Sequence, residues 1–181
     1  MQTLTDRVAV VTGAARGIGQ AISHALAEAG CRLAIGDVDV DALEEARVRL
    51  RRITPEVSAH VVDVADAASI QAFHDAVVER HGAAHILVNN AGVTLYGMFE
   101  ESSRDELRRV FDINLWGVVD GCRVFLPTLR QEDEAHIVNI ASMAAMTGMP
   151  FQSAYCASKS AVRGFSESLR AELAPSPVGV T

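Results

Sequence analysis

Short apolar runs, several of them rich in β-branched residues, alternate five times with longer segments of helical spacing, and a sixth run follows at residues 178–181. The runs are Val8-Ala-Val-Val11, Leu33-Ala-Ile-Gly-Asp37, Val57-Ser-Ala-His-Val-Val-Asp63, His85-Ile-Leu-Val-Asn89, His136-Ile-Val-Asn-Ile-Ala-Ser142 and Val178-Gly-Val-Thr181. Stretches this short and this apolar suit strands buried on both faces. Strands separated by helices form a parallel sheet, because each crossover must pack back onto it with right-handed sense. The pattern therefore predicts an α/β fold, a doubly wound parallel sheet with helices on both faces.

The intervening segments have their own signals. Ile18, Ile22 and Leu26 recur at helical spacing up to Gly30, and Val40, Leu43, Ala46 and Leu50 do so before Pro55. Asp66 can cap a helix carrying Ile70, Phe73 and Val77 and ending at Gly82. Ser103-Arg-Asp-Glu106 is a capping box that opens a long helix, expected to run from Arg104 to Leu126 and to stop near Pro127. The last helix carries Tyr155, Val162, Phe165, Leu169 and Leu173 and stops before Pro175.

Bulk properties narrow the function. A net charge of -7 gives no support to a nucleic-acid or anionic-membrane partner. No apolar run reaches the roughly 18 residues of a membrane span, and Met1 to Arg7 lacks the layout of a signal peptide. Three scattered cysteines, Cys31, Cys122 and Cys156, suit reduced thiols in the cytoplasm. His81 and His85 are four apart, but Gly82 lies between them, so no paired-histidine metal face is expected.

In a sheet of this kind ligands bind beyond the carboxyl ends of the strands. Gly13, Asp37, Asp63, Asn89 and Ser142 all follow or end predicted strands and so share that edge. Thr12-Gly-Ala-Ala-Arg-Gly-Ile-Gly19 is a glycine-rich turn between a strand and a helix, where backbone N–H groups can approach a phosphate. The same glycines also fit a tight turn with no ligand. Asp37, about twenty residues on, can accept from a ribose 2′-OH or cap the next helix, a task open equally to Asp39. Asn114 falls inside an apolar stripe, where an amide needs a partner or a function. Tyr155 and Lys159 stand one turn apart on one helix face, and Lys159 is the only lysine of the chain. An ammonium beside a phenol favours the phenolate, making the two an acid/base pair; taken alone they also fit an ordinary helix.

Taken in order, Thr12-Gly-x-x-x-Gly-x-Gly19, Asp63-Val64, Asn89-Asn-Ala-Gly92, Asn114, Ser142 and Tyr155-x-x-x-Lys159 resemble the short-chain dehydrogenase/reductase family over essentially the whole chain. The resemblance implies a Rossmann fold that binds a dinucleotide. Gly13, Arg16, Ile18 and Gly19 would wrap the pyrophosphate and nicotinamide-side ribose, with Gly17 allowing the close turn. Asp37 would accept from the adenosine ribose and thereby select NAD over NADP. Asp63 and Val64 would flank the adenine, and Asn89, Ala91 and Gly92 would lie along the cofactor. Tyr155 would transfer the proton, Lys159 would hold the nicotinamide ribose and lower the Tyr155 pKa, and Ser142 would bond the substrate oxygen. Asn114 would hold a water linking Lys159 to solvent.

The activity so implied is interconversion of a small secondary alcohol and a ketone with NAD in the cytoplasm. The loops Thr94 to Phe99 and Met143 to Phe151 are apolar, which favours an uncharged substrate. The long helices Arg104 to Leu126 and Ser153 to Ala174 would pair across a two-fold axis in a homodimer or homotetramer. Family members continue through the sixth strand into a substrate-binding segment and a seventh strand. Residues 1–181 are therefore expected to be one NAD-binding domain without those parts. Two rivals stand beside this expectation: a dinucleotide-binding protein without turnover, and another doubly wound enzyme such as a methyltransferase. The latter leaves Tyr155 and Lys159 unexplained.

Overall fold

The structure, a computed structural model, describes residues 3–181. Six strands, β1 (Val8–Thr12), β2 (Arg32–Asp37), β3 (Val57–Val61), β4 (Ile86–Asn89), β5 (Ala135–Asn139) and β6 (Val178–Val180), form one sheet in the order β3-β2-β1-β4-β5-β6. Every pairing is parallel. The order reverses between β1 and β4, which opens a crevice at their carboxyl ends.

Side chains of a strand alternate between faces. Val8 and Val10 join one apolar core and Ala9 and Val11 the other, which is why β1 reads as an unbroken apolar run. Each fully buried valine there contributes about 1.5–3 kcal/mol relative to an exposed one. One face is covered by α1 (Gly17–Glu28) and α2 (Val40–Leu50), whose Ala27, Leu43, Ala46 and Leu50 pack on it. The other is covered by α3 (Ala67–His81), α5 (Gly117–Leu129) and α6 (Ser153–Leu173), through Phe73, Val77, Val118, Phe125, Val162 and Leu173.

Helix starts follow the sequence signals. Asp39 caps α2 through Ala42 N–H (3.0 Å), Asp66 caps α3 through Ala68 N–H (2.9 Å), and Ser103 with Glu106 forms the capping box of α4 (Arg104–Phe111). The predicted single helix from Arg104 to Leu126 is three pieces. After α4 a π-turn, Asp112–Trp116, precedes α5, and the inserted residue rotates the buried stripe so that Ile113 and Asn114 point inward while Phe111 is only half-buried. Pro127 does not stop the helix either. It lies in the last turn of α5, where the lost N–H removes one bond near a terminus that would fray in any case, and Phe125 and Leu129 anchor the turn in the core. Leu115, Phe165 and Leu169, on the two helices expected to pair between subunits, lie partly buried against the same core; Trp116 remains exposed.

Candidate active site

The carboxyl edge of the sheet holds one cleft of about 750 Å³. It runs from Asp37 and Asp39 after β2, past the turn Gly13 to Ile18, to Ser142, Tyr155 and Lys159. Asp63, Val64, Ala91 and Gly92 line it as well. Asn89, Asn114 and Gly19 do not line it.

At the first end the groups are set by backbone. Asp37 accepts from Ala15 N–H (3.0 Å) and Asp39 N–H (3.1 Å), so its carboxylate ties the two glycine- and aspartate-bearing turns together. A carboxylate has about four acceptor positions, so capacity remains for a further donor. The N-terminus of α1 has no side-chain cap, unlike α2, α3 and α4. Its first N–H groups border the cleft and suit a phosphate, which fits the diphosphate of a dinucleotide. Gly19 lies beneath the turn: a Cβ there would stand 2.1 Å from the Gly13 carbonyl oxygen and 2.4 Å from Asn90 Nδ2.

The paired amides divide their work. Asn89 is buried below the cleft, donating to Asn139 Oδ1 (2.8 Å) and Cys122 Sγ (3.4 Å). It therefore stands behind the wall of the cleft. Asn90 lines the cleft instead and donates to the carbonyls of Thr12 and Gly13, both at 3.0 Å. Thr12 Oγ1 accepts from Asn90 and Ala91 N–H (3.1 and 3.2 Å), completing a clasp across the crevice. The sequence offered two amides at one strand end; since neighbours on a strand face opposite ways, only one can serve the cleft. Thr94, Arg109 and Ile140 line the cleft too and carried no sequence signal of their own.

At the far end side chains set the geometry. Lys159 is buried, and its ammonium donates to the Ile140 carbonyl (2.7 Å); burial pushes its pKa below the ordinary lysine value. Two of its three N–H donors remain for other acceptors. Asn114, wholly buried, accepts from Val93 N–H (2.8 Å) and donates to Val93 C=O (2.9 Å) and Ser158 Oγ (3.0 Å). Its amide is satisfied by protein groups, so the partner supposed for it, a water toward Lys159, is not needed by the side chain. Gly92 is where these groups converge: a Cβ there would lie 3.2 Å from Asn114 Oδ1 and 3.5 Å from Lys159 Nζ. The Ser142 hydroxyl accepts from Ala144 N–H (3.1 Å), which leaves its own proton to donate. Tyr155 sits in the first turn of α6, half-buried and one turn before Lys159. Beyond it the backbone bond Gly97 N–H to Phe151 C=O (2.9 Å) and the tilted Tyr96–Phe151 ring pair (5.4 Å) join the two apolar loops.

The thiols are free, and burial pushes Cys31 up to about 11 and Cys122 up to about 12, so neither is a nucleophile at neutral pH. Among the described residues no helix is long and apolar enough to cross a membrane.

Residues 7–181 match the model of the family described as short chain dehydrogenase. SadH of Mycobacterium tuberculosis is 40% identical over 183 residues, covering all of this chain and 66% of that protein. A short-chain dehydrogenase/reductase from Burkholderia phymatum, solved in complex with NAD, is 40% identical with a TM-score of 0.97, over 100% of this chain and 66% of that one. An alcohol dehydrogenase from the archaeon Thermococcus sibiricus, solved with 5-hydroxy-NADP, is 35% identical with a TM-score of 0.88, over 92% of this chain and 71% of that one. The chain thus spans about two thirds of the length of the first of these relatives.

Proposed function

The chain belongs to the short-chain dehydrogenase family, and on that premise we propose that residues 1–181 act as one dinucleotide-binding, catalytic domain that interconverts a secondary alcohol and a ketone with NAD. The observation carrying this is a continuous cleft with an acid at one end and Ser142, Tyr155 and Lys159 together at the other. Relatives occur in complexes with both NAD and an NADP derivative, so the preference for NAD rests on this chain's own residues. Asp37 presents an acceptor to a ribose 2′-OH and repels a 2′-phosphate.

The nicotinamide, when bound, supplies the hydride donor or acceptor. The chain's share is orientation and proton handling. The uncapped N-terminus of α1 and Arg16, Gly17 and Ile18 hold the diphosphate region, and Asp63 and Val64 flank the base. The Ser142 proton is donated to the substrate oxygen, fixing it beside Tyr155. Tyr155 takes the proton from an alcohol or returns it to the developing alkoxide. Lys159, buried and with two donors left over from the Ile140 carbonyl, holds the ribose hydroxyls. Asn114 is a positioning residue: by gripping both backbone groups of Val93 it fixes the loop that starts at Gly92.

The substrate is an uncharged small molecule, in keeping with apolar Val93, Ala141 and the Tyr96–Phe151 pair around the far end. Free thiols support a reducing, cytoplasmic setting. The exposed Trp116, beside α4 and α5, supports self-association through the long helices; light scattering at micromolar concentration tests it, and a monomer would count against it.

The decisive experiment is a panel of secondary alcohols assayed with NAD. Tyr155→Phe should lower kcat by about 10²–10⁴ while nicotinamide fluorescence shows cofactor binding unchanged. An unaltered kcat would remove Tyr155 from the reaction. Cofactor binding with no turnover of any substrate would favour a binding protein over an enzyme.

A further inference from the structure

The acid of the cleft that faces the ribose is not alone. Asp39, two residues beyond Asp37, uses one carboxylate oxygen to cap α2 at Ala42 N–H (3.0 Å) and its other oxygen to meet Arg16 Nη2 at 2.7 Å. Its own N–H donates to Asp37 (3.1 Å), and Asp37 accepts in turn from Ala15, the neighbour of Arg16. Two acids and one arginine therefore form a closed loop of bonds between the β1–α1 and β2–α2 turns.

Three cations line the cleft: Arg16, Arg109 and Lys159. Lys159 belongs to the catalytic end, and Arg109 stands on α4. Arg16 is the one that shares its end with Asp37. A guanidinium is the side chain best shaped to grip a phosphate, because its donors form a rigid fork. Arg16 is mostly exposed, so the pair adds little to stability. What the pair does is direct the fork. Asp39 is fixed by the helix it caps, so its free oxygen is presented to Arg16 at no further ordering cost.

We propose that Asp39 is a specificity-determining residue: it holds Arg16 away from a 2′-phosphate and so excludes NADP by withholding the cation that NADP would need. The assignment rests on the NAD-binding reading of the cleft. The two acids then have separate tasks. Asp37 accepts from the 2′-OH, and Asp39 occupies the arginine. A 2′-phosphate would have to displace one carboxylate while lying against another.

The test is a titration of NADH and NADPH, read by nicotinamide fluorescence, into the full chain and into Asp39→Asn, Arg16→Ala and the double variant. Asparagine caps helices as well as aspartate does, so Asp39→Asn should fold and melt as the parent does. It should bind NADPH about tenfold more tightly, the worth of one charge-assisted bond regained, while NADH affinity stays within about twofold. Adding Arg16→Ala should cancel the gain of NADPH over NADH, and Arg16→Ala alone should leave the preference between the two cofactors nearly unchanged. The assignment is overturned by an Asp39→Asn variant with no gain for NADPH. It is equally overturned by a gain that persists without Arg16, since the effect would then be bulk charge. These outcomes leave the NAD reading standing. A parent chain that prefers NADPH, or that binds neither cofactor, overturns the reading and the assignment together.

Discussion

The two ends of the cleft are built by different means. Around β1 and β2 main-chain N–H groups and carbonyls border the cleft, held in place by Asn90 and by Asp37, whose carboxylate also lines it. Around β4, β5 and α6 the cleft is lined by the side chains of Ser142, Tyr155 and Lys159, with Lys159 held on the Ile140 carbonyl, while Asn114 on Val93 and Ser158, Asn89 on Asn139, and Asn139 on Ser166 are buried behind them. A diphosphate is recognised by N–H groups that every residue carries, so that end depends on shape. Proton transfer needs particular functional groups, so the other end depends on identity. Substitution should therefore injure the first end where it adds atoms and the second where it removes them.

The largest effect is expected from the smallest addition. Gly19→Ala would place a methyl 2.1 Å from the Gly13 carbonyl oxygen, backbone that cannot turn aside. The turn and the start of α1 would have to separate, at a cost of about 3 kcal/mol or more. Thermal melting should show a large loss of stability, and dinucleotide binding should disappear with the turn. A variant that melts within a few degrees of the parent would show that this end is less dependent on shape than the structure implies.

The complementary loss is Asn114→Leu. Leucine has similar bulk but abandons the N–H and C=O of Val93 and the Ser158 hydroxyl. Some of these groups would be re-solvated, so about 2–3 kcal/mol is expected. The kinetic consequence separates the two ends: kcat should fall, because the loop beside Lys159 is released, while NADH affinity should change little. If affinity falls and kcat does not, Asn114 serves the cofactor end and the division drawn above is wrong.

How much of this was legible in the sequence follows the same division. The alternation of apolar runs specified a parallel sheet because burial on both faces leaves an unmistakable composition, and the sixth run, Val178-Gly-Val-Thr181, supplies β6 beside β5. The caps at Asp39, Asp66 and Ser103 were legible because a cap is a local event involving three or four residues. The π-turn at Asp112–Trp116 was not, because one inserted residue is decided by what Asn114 meets in the interior, namely Val93 and Ser158, far away in sequence. That Asn90 lines the cleft and Asn89 does not was illegible for a related reason. Which of two neighbouring amides faces the crevice depends on where the strand ends, and tertiary packing sets that point. Ile18 shares the helical spacing of Ile22 and Leu26, yet it is exposed at the mouth of the cleft, the edge where the resemblance places it.

The smallest predicted effect is the finest probe of the backbone-built end, because it separates crowding by protein from crowding by ligand. Gly17 has a φ of +56°, in the left-handed region, yet a Cβ added there would meet no protein atom within 4 Å. Gly17→Ala should therefore incur only the conformational penalty, about 1 kcal/mol, partly offset because alanine also restricts the unfolded chain. Gly17 nevertheless lines the cleft, so the methyl would project where the proposed diphosphate would lie. The expected result is a nearly unchanged melting temperature together with a clear loss of NADH affinity. Stability and binding would thus part company at Gly17 and fall together at Gly19, two residues along the same turn. Parallel losses at both positions would mean that the turn responds as one rigid unit. Unchanged NADH affinity in Gly17→Ala would place the diphosphate somewhere other than against this turn.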